Sequence, residues 1–142
     1  MGELEIEVED LHWGRIPYFT RYRINRRRKR RETGLLMFTT SRTSVRHTAS
    51  RYFRINQVRE NGEVLAESDS QLPFSKFRRL SPGVHQLVLC SGTLTKEVSV
   101  SREVELKPGQ LLVVGCRPSY SYRPFNKNPP PDRWSIGVLD PR

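Results

Sequence analysis

The chain has 142 residues, with 25 basic against 15 acidic side chains and a net charge of +10. That length suits one ordinary domain at ~100–200 residues each, and Leu, Ile, Val and Phe supply 37 residues, about 26%, above the ~20% floor below which a charged chain stays disordered. No stretch offers the ~18 uncharged apolar residues of a transmembrane helix; the opening Met-Gly-Glu-Leu-Glu-Ile-Glu places acids where a secretory leader has basic residues, so an intracellular, cytoplasmic protein is expected.

Alanine occurs only at Ala49 and Ala66, whereas Val, Ile, Thr, Tyr and Phe are plentiful and Gly and Pro recur at short intervals, which predicts an all-β chain. Leu4, Ile6 and Val8 alternate with Glu3, Glu5, Glu7 and Glu9, the pattern of a strand with one wet face. Tyr18, Thr20, Tyr22 and Ile24 alternate with Phe19, Arg21, Arg23 and Asn25 in the same way. This predicts a second strand, with Tyr18 and Tyr22 inward and Arg21 and Arg23 paired with the glutamates of the first. The six consecutive cations Arg26, Arg27, Arg28, Lys29, Arg30 and Arg31 repel one another and predict a solvated loop or hairpin tip. Further strands are expected over 35–40, 52–58, 63–66, 84–90, 93–101 and 110–116, with turns at Asn61-Gly62, Ser81-Pro82-Gly83, Ser91-Gly92 and Pro108-Gly109.

Eight or nine short strands predict an antiparallel sandwich or partly open barrel. Arg23-Ile24-Asn25 followed by Arg31-Glu32-Thr33-Gly34 echoes Arg54-Ile55-Asn56 followed by Arg59-Glu60-Asn61-Gly62, as two similar hairpins would. Residues 117–133 contain Pro118, Pro124, Pro129, Pro130 and Pro131 with Tyr120, Tyr122 and Phe125, a composition for an extended Pro-rich C-terminal arm. The apolar ending Trp134, Ile136, Val138 and Leu139 has two courses open, folding back onto the sheet or docking on another chain. The domain reading is one β domain over 1–116, with charge-segregated hairpins over 1–59 and a meander over 52–116, and an arm over 117–142.

Over residues 52–118 the quoted features are Tyr52-Phe53-Arg54-Ile55, Asn61-Gly62-Glu63-Val64, Leu80-Ser81-Pro82-Gly83-Val84-His85-Gln86-Leu87-Val88-Leu89, Val98-Ser99-Val100 and Pro108-Gly109-Gln110-Leu111-Leu112-Val113. Their order resembles small β-sandwich modules of the PEGA and transthyretin-like kind. The resemblance implies a non-catalytic binding or spacer module without an active site.

Catalytic motifs are missing from the sequence. His12, His47 and His85 are far apart and in no metal-binding spacing, and there is no G-x-S-x-G, P-loop or G-x-G-x-x-G. Neither an enzyme nor a cofactor or metal is expected. Cys90 and Cys116 each close an apolar strand and are expected as two buried, reduced thiols.

The charge is local. Residues 1–10 hold five acids and no base, whereas residues 11–59 hold 14 bases and one acid, Glu32. Arginine outnumbers lysine 20 to 5, and its planar fork engages phosphate oxygens through two parallel bonds. The predicted polyanion-binding set is Arg21, Arg23, Arg26, Arg27, Arg28, Lys29, Arg30, Arg31, Arg42, Arg46, Arg51 and Arg54. Trp13 and Phe19 are the stacking candidates, and residues 39–50 add seven Ser or Thr hydroxyls. Tyr120, Tyr122, Phe125 and Trp134 are candidates for docking on a partner. The expected function is a non-catalytic interaction protein whose Arg-rich hairpin binds a polyanion, nucleic acid within an assembly. The alternative is a structural or adaptor subunit that binds acidic proteins and docks its C-terminal arm on a neighbour. No membrane partner is expected, because the chain offers no lipidation site or amphipathic helix.

Overall fold

The computed structural model describes residues 6–39, 55–68, 75–92, 97–117 and 132–142. These form β1 (Ile6–Asp10), a 3-10 turn (Trp13–Arg15), α1 (Tyr18–Lys29), β2 (Gly34–Thr39), β3 (Ile55–Glu60), β4 (Glu63–Ser68), β5 (Ser75–Arg79), β6 (Gly83–Gly92), β7 (Glu97–Leu106), β8 (Leu111–Arg117) and β9 (Asp132–Leu139). The strands make two sheets, ordered β1-β9-β8-β2-β5 and β4-β3-β6-β7. The chain is mostly strand, as its composition predicts. The four-stranded sheet is antiparallel throughout. In the other, β1 runs parallel to β9 and β2 parallel to β8, which corrects the wholly antiparallel expectation.

One buried cluster joins the sheets. Leu35, Met37, Leu112, Val114, Cys116 and Trp134 of the five-stranded sheet meet Val58, Leu65, Ala66, Leu87, Leu89 and Leu106 of the four-stranded one. Each large side chain so buried contributes about 1.5–3 kcal/mol. A polar relay crosses this cluster: the Trp134 Nε1–H donates to Ser91 Oγ at 3.0 Å, and the Ser91 hydroxyl donates to Asn56 Oδ1 at 2.9 Å. All three residues are buried.

A second cluster lies on the opposite face of the five-stranded sheet, where Leu36, Phe38, Leu111 and Val113 pack with Ile16 and Ile24. β2 is consequently buried at every residue. Its unbroken Leu-Leu-Met-Phe run is what a strand covered on both faces requires, and α1 with Ile16 supplies the outer cover.

The strand expected from Tyr18 onward is therefore a helix, and the first of the two echoing hairpins does not form. Thr20 and Ile24 lie four residues apart, a spacing that keeps them on one face under a period of 2 or of 3.6. Both are buried. Tyr18 and Tyr22 share that face only in a strand, and here they point outward. Freed from the expected partner, β1 pairs with β9, from Ile6↔Asp132 to Asp10↔Ile136.

The Asn61-Gly62 turn forms as expected, with φ of 50° and 80°, the left-handed pair that a two-residue hairpin favours. Ser91-Gly92, read as a turn, instead extends β6, where both residues pair with β3 and β7. β5 was not foreseen. The apolar ending folds back: β9 sits between β1 and β8. Since β8 reaches Arg117 and β9 begins at Asp132, the Pro-rich stretch between them, 118–131, lies outside the described residues. Cys90 and Cys116 are both buried as thiols and form no disulfide with each other. No helix among the described residues is long and apolar enough to cross a membrane.

Candidate nucleic-acid interface

The 12-residue helix α1 follows Pro17, whose carbonyl accepts the amide of Arg21 at 2.9 Å. Its arginines are good helix formers, and Arg26, Arg27, Arg28 and Lys29 in its last turn suit the negative end of the helix dipole. The helix closes with Arg31 at φ 52°. The Arg31 amide donates to the Arg28 carbonyl at 3.0 Å and the Glu32 amide to the Arg27 carbonyl at 3.2 Å, the paired bonds of a Schellman cap.

Seating Thr20 and Ile24 on the sheet decides what faces solvent. Tyr18, Phe19 and Tyr22 are 71%, 79% and 62% exposed, with the Tyr18 and Phe19 rings edge to face at 5.9 Å. Trp13 is also exposed. Phe19 and Trp13 thus stand where the sequence places them, while the exposed Tyr18 and Tyr22 correct the inward assignment. Their signal was the helical spacing of Tyr18 and Tyr22 with Arg26, one turn apart each.

The cations divide into two groups. Arg27 pairs with Glu32 at 2.8 Å and lies 4.1 Å above the Phe77 ring. Arg28 donates to the Asp140 carbonyl at 2.8 Å and to Asn25 Oδ1 at 3.2 Å, and lies 6.0 Å from the Trp13 ring. These two brace the helix against the sheet and the chain's end. Arg23 donates to Ser75 Oγ at 2.7 Å. Arg21 is half-buried and lies 6.0 Å from the Tyr18 ring, its Nε buried without a hydrogen-bond partner among the described residues.

By contrast, Arg26, Lys29, Arg30 and Arg31 are exposed. None of the four meets a carboxylate among the described residues. Arg30 and Arg31 continue, with Arg79, into an open groove that also includes Glu32 and Ser81. The exposed side of α1 therefore carries rings over its first half and unpaired cations over its last turn.

Several expected contributors lie elsewhere. Arg42, Arg46, Arg51 and Arg54, and the docking candidates Tyr120, Tyr122 and Phe125, lie outside the described residues, as does His47. Trp134 is wholly buried, which corrects its assignment as a docking residue. Alternation within β9 turns it inward, where its indole N–H finds Ser91. His85 is buried in a structural role, with Nδ1 at 2.7 Å from Glu60 Oε2 and Nε2 at 2.7 Å from the Ser81 carbonyl. No group of three or more His, Cys, Asp or Glu that could hold a metal occurs among the described residues. The chain matches no protein-family model, no curated protein and no solved structure.

Proposed function

We propose that this chain is a non-catalytic nucleic-acid-binding protein that works within an assembly, and that α1 with its C-terminal turn forms the contact surface for a single strand. The supporting observation is the exposure of Tyr18, Phe19 and Tyr22 beside Arg26, Lys29, Arg30 and Arg31, in a segment, 11–31, with nine cations and no acid. Flat rings stack on unpaired bases at ~1–3 kcal/mol each, while guanidinium groups follow the phosphates. Exposed rings of this size otherwise oppose solubility.

In this reading the two sheets form a sandwich-like body, and the order of hairpin, Pro-Gly turn and strand in β3, β4 and β6 supports the PEGA-like resemblance. The body is a platform that acts in the cytoplasm. Its test is salt dependence. For four neutralised phosphates the slope of log K against log salt on a single-stranded oligonucleotide is about −3, at ~0.7 per contact. Replacing Arg26, Lys29, Arg30 and Arg31 together by Ala removes most of that slope and leaves the circular dichroism spectrum intact. Unchanged binding in that variant overturns the proposal. Copurification separates it from the adaptor reading: nuclease-sensitive absorbance at 260 nm supports nucleic acid, and a stoichiometric acidic protein supports the adaptor.

A further inference from the structure

In the β8·β9 ladder Arg117 stands directly opposite Arg133. Opposed residues on one sheet face have Cβ atoms ~4.5–5.5 Å apart, and like charges there work against the pairing. Two residues further along, Gly115 stands opposite Ser135, so these four share one face. It is the face of Phe38, because Phe38 is the register partner of Gly115. The segment before α1 brings His12 and Arg15 over the same end of the sheet. Together they line a cleft of about 560 Å³.

Three guanidinium groups from sequence positions 15, 117 and 133 thus share one cleft, and little on the protein offsets them. Arg15 has Glu9 at 3.6 Å and Arg133 has Glu7 at 3.7 Å, the four side chains being 45–71% exposed. Such pairs contribute little. Arg117 meets no carboxylate among the described residues. A sheet that opposes two arginines, under a turn that adds a third, suits a ligand with more than one negative charge.

We propose that this cleft binds a phosphate monoester, with Arg117 and Arg133 as paired donors, Arg15 as a third, and the Ser135 hydroxyl and His12 beside them. The volume exceeds that of a bare phosphate and lies within the ~300–1,000 Å³ of small-molecule sites. Leu11 and Ile16 supply an apolar wall. The ligand is therefore a phosphate monoester with a body of nucleoside size, either a free nucleotide or the 5′ end of a strand. The inference does not depend on the exposed surface of α1.

Calorimetric titration of the full chain with 5′-AMP and with adenosine tests it. AMP is expected to bind at least about tenfold more tightly than adenosine, since charge-assisted bonds to phosphate supply the difference. Arg117→Ser should lose about tenfold or more in AMP affinity while melting no lower than the parent, because it also removes the opposed like charge. Arg15→Ala, away from the ladder, should weaken AMP in the same direction. A 5′-phosphorylated tetranucleotide, titrated into the variant with Arg26, Lys29, Arg30 and Arg31 replaced by Ala, distinguishes the sources. Binding tighter than AMP assigns a strand end, and binding no tighter assigns a free nucleotide. Equal affinity for AMP and adenosine, no AMP binding at millimolar concentration, or parental affinity in Arg117→Ser overturns the proposal.

Discussion

Arg31 occupies the left-handed backbone region, with φ 52°, that glycine usually fills where a helix ends in this way. A side chain there costs about 1 kcal/mol relative to glycine. Arg31→Gly should therefore raise the urea-unfolding free energy by about that amount, while lowering the salt slope of nucleic-acid binding by ~0.7. Ser91 poses the opposite case. Ser91→Ala leaves the Trp134 indole N–H without its acceptor inside the shared core, and should cost about 1–3 kcal/mol by chemical denaturation. Cys90 carries a pH signature: burial pushes its thiol up, Arg59 pulls the other way and Glu97 adds to the rise. A folded value above the unfolded one gives a contribution that is whole below about pH 8.5 and is lost as pH rises from there through the folded value. The urea midpoint should thus fall above that pH, and fall less in Cys90→Ala. Sequence reasoning reached the exposure of Phe19 and Trp13 but not the burial of Trp134. A terminal apolar residue has the same appearance in a chain whether its neighbours are its own strands or another subunit's.

At the scale of elements, α1 was the main misreading. Tyr-Phe-Thr-Arg-Tyr-Arg-Ile-Asn alternates well enough for a strand, and Thr20 and Ile24 satisfy both periods at once. The correcting signal was outside the segment. Leu35-Leu36-Met37-Phe38 and Leu111-Leu112-Val113-Val114 are unbroken apolar runs, and strands of that kind need cover on both faces. One cover is the second sheet, and the segment between β1 and β2 is available for the other. Asn61-Gly62, in contrast, was legible because its turn is fixed by two adjacent residues. Two substitutions separate the helix's faces. Ile24→Ala, at a fully buried position, should cost about 2–5 kcal/mol. The pair Phe19→Ala and Tyr22→Ala should change stability by no more than about 1 kcal/mol, at about 0.5 for each exposed site, yet weaken a single-stranded oligonucleotide by about tenfold or more if each ring stacks on a base.

For the whole molecule, charge is distributed by layer. The strands of the four-stranded sheet hold Glu60, Glu63, Glu67, Glu97, Glu103 and Glu105 against Arg59 and Arg102, while α1 lies on the far side of the other sheet. In the proposed function, this layering would orient an approaching polyanion before contact, toward the helix and away from the acidic sheet. This layering was not legible, because it depends on which strands share a sheet. That sheet order has a kinetic side as well. β1, at the start of the sheet, is hydrogen-bonded among the described strands only to β9, more than a hundred residues later in the chain. Closing so long a loop delays its reward, so β1 is expected to join after the other strands have assembled and to open before they do. Hydrogen exchange should then release the amides of β1 at a lower opening free energy than those of β8. Because β1 and β9 also carry the glutamates and Arg133 beside the cleft, the last part of the molecule to settle would be the wall of the proposed small-ligand site.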